Sequence, residues 1–386
     1  MSAFDFGTGP ERAGSDSIKW RRYAGRDVIP MWVADMDFAA PPPVLEALQA
    51  RVAHGVFGYA DPWPSLVESV QAGIARDHGW HIEPDWLVWL PGVVTGFNVA
   101  LRAVGQAGDG VFTATPVYPP FLHAPANFGQ RLLTAPLVHD GRRWGWDWPA
   151  TEAALADGVR LFMLCNPHNP VGRVFDRDEL TRIAELAERH DLVICSDEIH
   201  CGLVLDPATP HTPIAALGDA VARRTITLMA PSKTWNIPAL YCAFAIIPDA
   251  ALRARYKRAM AGIVPHVNVL GLLGAEVAYR DCDPWRQALL ATLRSNAARV
   301  ASVINQLPGL AMAPVEATYL AWIDCRGLLA ARGVPNAAAF FEAAGVGLSD
   351  GKDFGLPGFV RLNFGCPPQR LEEALQRIHR AVTATG

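Results

Sequence analysis

Thr225-Ile226-Thr227-Leu228-Met229-Ala230-Pro231-Ser232-Lys233-Thr234-Trp235-Asn236 delivers a lysine to the end of an apolar strand. The run before Ala230 reads as a buried parallel strand, and an ammonium at the rim of such a strand is partly desolvated, which favours the neutral, nucleophilic amine. That is the form a Schiff-base lysine needs. The chain has only four lysines, Lys19, Lys233, Lys257 and Lys352, so one placed here stands out from background usage. A lysine at a strand end otherwise snorkels its head into solvent. What argues for chemistry instead is the company Lys233 keeps.

Two further strand ends carry matching groups. Asp191-Leu192-Val193-Ile194-Cys195-Ser196-Asp197 is an apolar strand closing on a carboxylate, and Val159-Arg160-Leu161-Phe162-Met163-Leu164-Cys165 runs into Asn166-Pro167-His168-Asn169-Pro170-Val171-Gly172. Ligands of open α/β sheets bind outside the carboxyl ends of parallel strands. The pattern therefore predicts an α/β protein whose mostly parallel sheet aims an amine, a carboxylate and an amide at one crevice. A buried carboxylate needs a positive partner. Asp197 and Lys233 could supply that to each other, or both could face a cofactor with an aldehyde and a cationic ring nitrogen.

The segments Pro30-Met31-Trp32-Val33-Ala34-Asp35-Met36-Asp37-Phe38, Thr115-Pro116-Val117-Tyr118-Pro119-Pro120-Phe121, Cys165 through Gly172, Ser196-Asp197-Glu198-Ile199-His200 and Pro231-Ser232-Lys233-Thr234 together resemble fold-type I pyridoxal 5′-phosphate (PLP) enzymes. Within that fold they are similar to the cystathionine β-lyase, or carbon–sulfur lyase, branch of the class I/II aminotransferase superfamily. The resemblance runs in order from Trp32 to Arg361. It implies a large PLP-binding domain over 51–283 and a small α/β domain built from both termini, 1–50 and 284–386.

The resemblance also implies roles. Lys233 is the Schiff-base lysine and the base at the substrate Cα–H, and Asp197 faces the ring nitrogen. Tyr118 stacks on the ring, while Asn169 and His200 reach its phenolic oxygen. The phosphate falls to the backbone of Gly92, Val93 and Val94 before an amphipathic helix, where free N–H groups and the helix dipole favour an anion. Ser232 adds a hydroxyl, and Tyr59 reaches the phosphate from the second subunit of a homodimer with shared active sites. Arg361, an arginine on an apolar strand, is matched to the substrate α-carboxylate, although an internal Asp or Glu would serve it equally well on sequence grounds. Trp32, Asp35, Met36 and Trp235 are expected to form pocket walls, and the Asn169-Pro170 bond to be cis. One departure stands out: many class I aminotransferases place a phosphate-binding arginine eight residues after the lysine, where this chain has Tyr241.

The implied reaction is β-elimination from a cysteine thioether such as cystathionine or a cysteine S-conjugate, giving thiol, pyruvate and ammonia. An aminotransferase of the same fold uses every residue named so far and stays open, as does a PLP-binding regulatory or interaction protein with little turnover. The stretch before Pro30 is expected to be too short for a DNA-binding winged helix. No strand is followed by G-x-G-x-x-G, which argues against a dinucleotide oxidoreductase.

Composition agrees. With 51% hydrophobic residues the chain can bury a large core, and a net charge of −4 leaves no footprint for nucleic acid or an anionic membrane. The N-terminus lacks a basic region followed by an apolar stretch, and seven cysteines without a C-x-x-C pair read as reduced thiols, so a cytoplasmic location is expected. The 11 histidines show no metal-ligand spacing, and no metal is expected.

Overall fold

The computed structural model describes residues 4–156 and 158–384. Met1–Ala3, read above for a leader, lies outside them. The core is an eight-stranded sheet with the spatial order Leu87–Leu90, Ala243–Ile246, Thr225–Met229, Val193–Asp197, Val159–Cys165, Gly110–Thr115, Arg131–His139, Trp144–Trp146. Ala243–Ile246 and Trp144–Trp146 run opposite to the other six strands, so the expected mostly parallel sheet is present. The five residues of Thr225–Met229 are all buried, as a strand covered on both faces requires.

Register brings the three chemistry-bearing strand ends together. Cys165 lies opposite Asp197, and Asp197 opposite Leu228, so all three strands finish at one edge of the sheet. Helix Val93–Val104 packs behind that edge at glycine distance: a Cβ on Gly96 would stand 2.8 Å from the Leu228 side chain and 3.0 Å from that of Leu90. The close approach carries the helix N-terminus to the strand that delivers Lys233.

The C-terminal part forms a four-stranded antiparallel sheet in the order Ala311–Met312, Leu320–Asp324, Phe359–Asn363, Ser349–Asp350, with helix Pro368–Thr383 beyond it. The N-terminal segment returns to this region, Ile29–Pro30 pairing in parallel with Val346–Gly347. Helix Pro42–His54 opens on the expected proline entry and runs through the boundary anticipated at residue 50. Proline is tolerated there because first-turn N–H groups have no intrahelical partner.

A buried charge cluster clamps the N-terminal segment. Asp37 receives Lys19 at 3.0 Å, Arg12 at 2.6 Å and Arg370 at 3.2 Å, with the Trp20 indole at 3.2 Å. Burial pushes the Asp37 carboxyl up, but Lys19, Arg370 and Arg12 outweigh it and hold it below its ordinary value. Removing one member of such a cluster strands the others, which costs about 3–5 kcal/mol. Asp37→Ala is therefore expected to lower the urea-unfolding free energy by that amount, and a loss below about 1 kcal/mol would show the cluster to be dispensable.

Candidate active site

A cavity of about 1370 Å³ opens at the carboxyl edge of the sheet, and Asp197, His200, Lys233, Tyr118, Asn169 and Arg361 all line it. The local sequence explains how Lys233 arrives. Ala230 is still extended, Pro231 then starts the short helix Pro231–Thr234, and Ser232 and Lys233 follow on its first turn facing the cavity. Asn236 closes the turn at φ 54°, a left-handed conformation that asparagine tolerates better than most residues.

Lys233 and Asp197 are not an ion pair. The Lys233 ammonium donates to the Ala34 carbonyl at 2.6 Å, and Asp197 Oδ1 accepts from the Ile199 N–H at 3.1 Å. Burial pushes the Asp197 carboxyl up to about 7, against the lowering pull of that N–H and of the Lys233 charge. Burial and then repulsion from Arg361 push Lys233 down to about 8, although Asp35 and Asp197 oppose this. The mutual neutralisation left open on sequence grounds is thus not made, and each group faces the cavity without the other as its ion-pair partner.

Arg361 belongs to the buried strand Phe359–Asn363, where its guanidinium meets only neutral oxygens. It donates to Asn169 Oδ1 at 3.1 Å and to the Trp32 carbonyl at 2.8 Å, lies 4.7 Å above the Phe354 ring, and leaves Nε buried without a partner. Among the described residues no internal carboxylate takes it up. Burial lowers its pKa to about 10, so it is charged at neutral pH and lacks a counter-ion. Asn169 gives its oxygen to Arg361, which leaves the amide N–H groups for another acceptor; its peptide bond to Pro170 is cis, as are Thr115-Pro116 and Asn166-Pro167. His200 is buried with Nδ1 unpartnered, and burial followed by the charges of Lys233 and Arg361 holds its pKa well below the ordinary value, so it is neutral.

Gly92, Val93, Val94 and Thr95 line the same cavity at the start of helix Val93–Val104, and no side chain caps that helix. Gly92 has open space where a Cβ would project. With Ser232 also in the lining, this edge of the cavity offers free backbone N–H groups and a hydroxyl, donors of the kind that suit an anion. Tyr241 lies in the lining and is mostly exposed, so no guanidinium replaces the absent arginine at this position. Tyr59 is fully exposed and does not line the cavity of its own chain.

Two expected wall residues are elsewhere. Met36 is buried beneath the segment, and Trp235 turns into the core, donating to the Cys282 carbonyl at 3.2 Å and meeting Tyr279 edge to face. An indole in the first residue after the short helix has a large apolar area to bury, and the core beneath the sheet takes it. Trp32 and Asp35 do line the cavity.

Sequence reasoning missed how the wall segment is held. The carbonyls of Val33 and Asp35 accept from Asn363 Nδ2 at 2.6 and 2.7 Å, Ala34 accepts from the Tyr319 hydroxyl at 2.8 Å, and Asn236 Nδ2 bonds the carbonyls of Met36 and Phe38 at 2.9 and 2.8 Å. Asn363 stands two residues after Arg361, on the same strand face, and that period was a readable signal. Tyr319 and Asn236 come from distant loops and offer none.

The depressed amine has a measurable consequence. A lysine is nucleophilic only when deprotonated, so the rate at which the cofactor-free protein condenses with an aldehyde should rise with pH and level off above about 8. An ordinary lysine would keep gaining up to about 10.4. Stopped-flow absorbance between pH 6 and 10 distinguishes the two, and a rate still climbing at the upper end would contradict the buried setting.

Comparison with known proteins places the chain in a family. The family model for aminotransferase class I and II matches residues 26–378. The chain belongs to that family. Cystathionine β-lyase PatB of Bacillus subtilis (strain 168) is 36% identical over 385 residues, covering 97% of this chain and 98% of PatB. Among solved structures, OvoB superposes with a TM-score of 0.96 at 48% identity, covering 99% of this chain and 100% of OvoB. The PLP-bound C–S lyase from Staphylococcus hominis superposes with a TM-score of 0.91 at 27% identity, covering 99% and 98% of the two chains. No helix of the described residues is long and apolar enough to cross a membrane.

Proposed function

We propose that this chain is a PLP-dependent carbon–sulfur lyase that removes the sulfur substituent from the Cβ of a cysteine thioether, giving thiol, pyruvate and ammonia. The observation that carries the reading is the separation of Lys233 from Asp197: a half-buried amine and a buried carboxyl line one cavity without pairing, which fits an aldehyde on one and a cationic ring nitrogen on the other. When bound, PLP supplies an electron sink for the carbanion formed at the substrate Cα.

The chain supplies the rest. Lys233 would hold the cofactor and, with its amine free beside the substrate, would take the Cα proton. Asp197 keeps a proton on the ring nitrogen, because a buried carboxylate favours a cation beside it. Arg361 binds the α-carboxylate with a fork that lacks an internal acid, and Tyr118 covers the ring. Asn169 and the neutral His200 would donate to or accept from the cofactor's ring oxygen. The first-turn amides of Val93 and Val94, with Gly92 and Ser232, hold the phosphate. We infer that Tyr59 completes that site from a second copy of the chain, as its full exposure beside exposed Val56 and Phe57 supports. The division into a large domain over 51–283 and a small one from both termini is part of the same proposal.

Transamination would use the same residues but would consume a keto acid. Purified protein with PLP and cystathionine should release thiol, read with a disulfide dye, and pyruvate, read with lactate dehydrogenase, in the absence of any keto acid. Strict dependence on added keto acid would overturn the lyase reading.

A further inference from the structure

We propose that Arg22 is a specificity-determining residue of this site, and that the sulfur substituent of the preferred substrate ends in a carboxylate that Arg22 binds. The inference rests on the lyase reading above and names the class of thioether. The cavity that reaches Lys233 and Arg361 also extends between the N-terminal segment and helix Ala337–Ala343, where Arg22, Arg26, Glu342, Lys352 and Asp353 line it. Most of that charge is neutralised within the protein. Arg26 pairs with Glu342 at 2.9 Å, Lys352 with Asp350 at 3.5 Å, and Asp35, deeper in the lining, with Arg12 at 2.7 Å. Among the described residues Arg22 has no carboxylate within ion-pair distance, Asp353 included.

Arg22 is nonetheless held. Its guanidinium lies 4.6 Å from the centre of the Trp32 ring. A cation–π contact of this kind holds the guanidinium against the ring and, with no carboxylate on it, leaves its N–H groups available to a planar carboxylate. The same tryptophan orients the inner arginine, because the Trp32 carbonyl accepts from Arg361 Nη2 at 2.8 Å. One residue therefore organises two guanidiniums along one cavity, each without an acidic partner among the described residues. With the amino-acid end of the substrate on Arg361, the outer guanidinium is left for the other end.

The test compares matched thioethers with the PLP-loaded protein: S-(2-carboxyethyl)- and S-(3-carboxypropyl)-cysteine against alkyl isosteres in which the carboxylate is an isopropyl group. The wild type should favour at least one carboxylate over its isostere. Arg22→Met should lower kcat/KM for that carboxylate by about tenfold, mainly through KM, and alter the isostere less than about twofold; Arg22→Lys should keep part of the preference. Dissociation constants from the cofactor absorbance change give the same ratio without turnover. A binding preference lost in Arg22→Met but unaccompanied by pyruvate would support the inference and overturn the lyase reading. Equal losses on both arms, or no preference in the wild type, would overturn the inference.

Discussion

Replacing Lys233 with alanine should lower kcat for thioether cleavage by about 10⁴-fold or more, because one side chain is asked both to hold the cofactor and to move the Cα proton, and a positioned base alone contributes 10²–10⁴. The fold should survive. Lys233 makes one hydrogen bond, to the Ala34 carbonyl, and that carbonyl keeps the Tyr319 hydroxyl at 2.8 Å when the lysine is gone. Burial holds the ammonium form at a disadvantage, so its removal relieves a charge that the cavity stabilises poorly. Added methylamine should restore part of the proton transfer in the alanine variant. Full activity without Lys233 would assign the base elsewhere.

Asp197→Asn should lower kcat/KM by about 10³-fold, equivalent to about 4 kcal/mol of transition-state stabilisation, since the amide keeps the shape but not the charge that favours a protonated ring nitrogen. The same substitution should raise the stability of the cofactor-free protein at pH 8. The folded-state pKa of Asp197 is about 7 against an ordinary 3.8, so the folded chain keeps a proton that the unfolded chain loses. Stability contributed by the neutral acid is therefore lost as pH rises from about 4 through 7, and above 7 the folded protein carries a buried, unpaired carboxylate. Asparagine removes that penalty. Thermal unfolding of the cofactor-free proteins should show the variant higher at pH 8 and level with the wild type near pH 4, while a variant less stable at pH 8 would mean that Asp197 has an internal partner.

The opposite signs of these two effects on activity and stability describe how the site is built. Lys233, Asp197 and Arg361 are each shifted by burial away from their charged or ordinary state, and each lacks an ion-pair partner among the described residues. The fold carries three groups without internal counter-ions in one cavity; on the proposed reading a cationic ring nitrogen would complement Asp197, a substrate carboxylate would complement Arg361, and Lys233 would be taken up by an aldehyde.

Strand ends were readable from sequence because their signals are local. The apolar run before Lys233, the one before Asp197 and the one before Asn166 each end in a polar residue, and parallel pairing brings such ends to one edge whatever the loops do. Gly92-Val93-Val94 was readable for the same reason, as a glycine followed by an uncapped amphipathic helix. That Trp32 and Asp35 line the cavity was expected from the sequence, but most of what holds the wall segment was not legible there. Trp32, Ala34 and Asp35 owe their positions to Tyr319, Ser349 and Asn363, which are about 300 residues away in sequence and meet them through tertiary packing. Trp235 shows the limit most clearly: adjacency to the lysine turn suggested a pocket wall, yet helical rotation from Lys233 points its ring into the core against Tyr279.

The most direct test is borohydride reduction of the PLP-loaded protein followed by peptide mass mapping. The account predicts a single phosphopyridoxyl adduct on Lys233, absent from the Lys233→Ala protein, with Lys19, Lys257 and Lys352 unmodified. An adduct on another lysine, or a protein that takes up no cofactor at all, would contradict it.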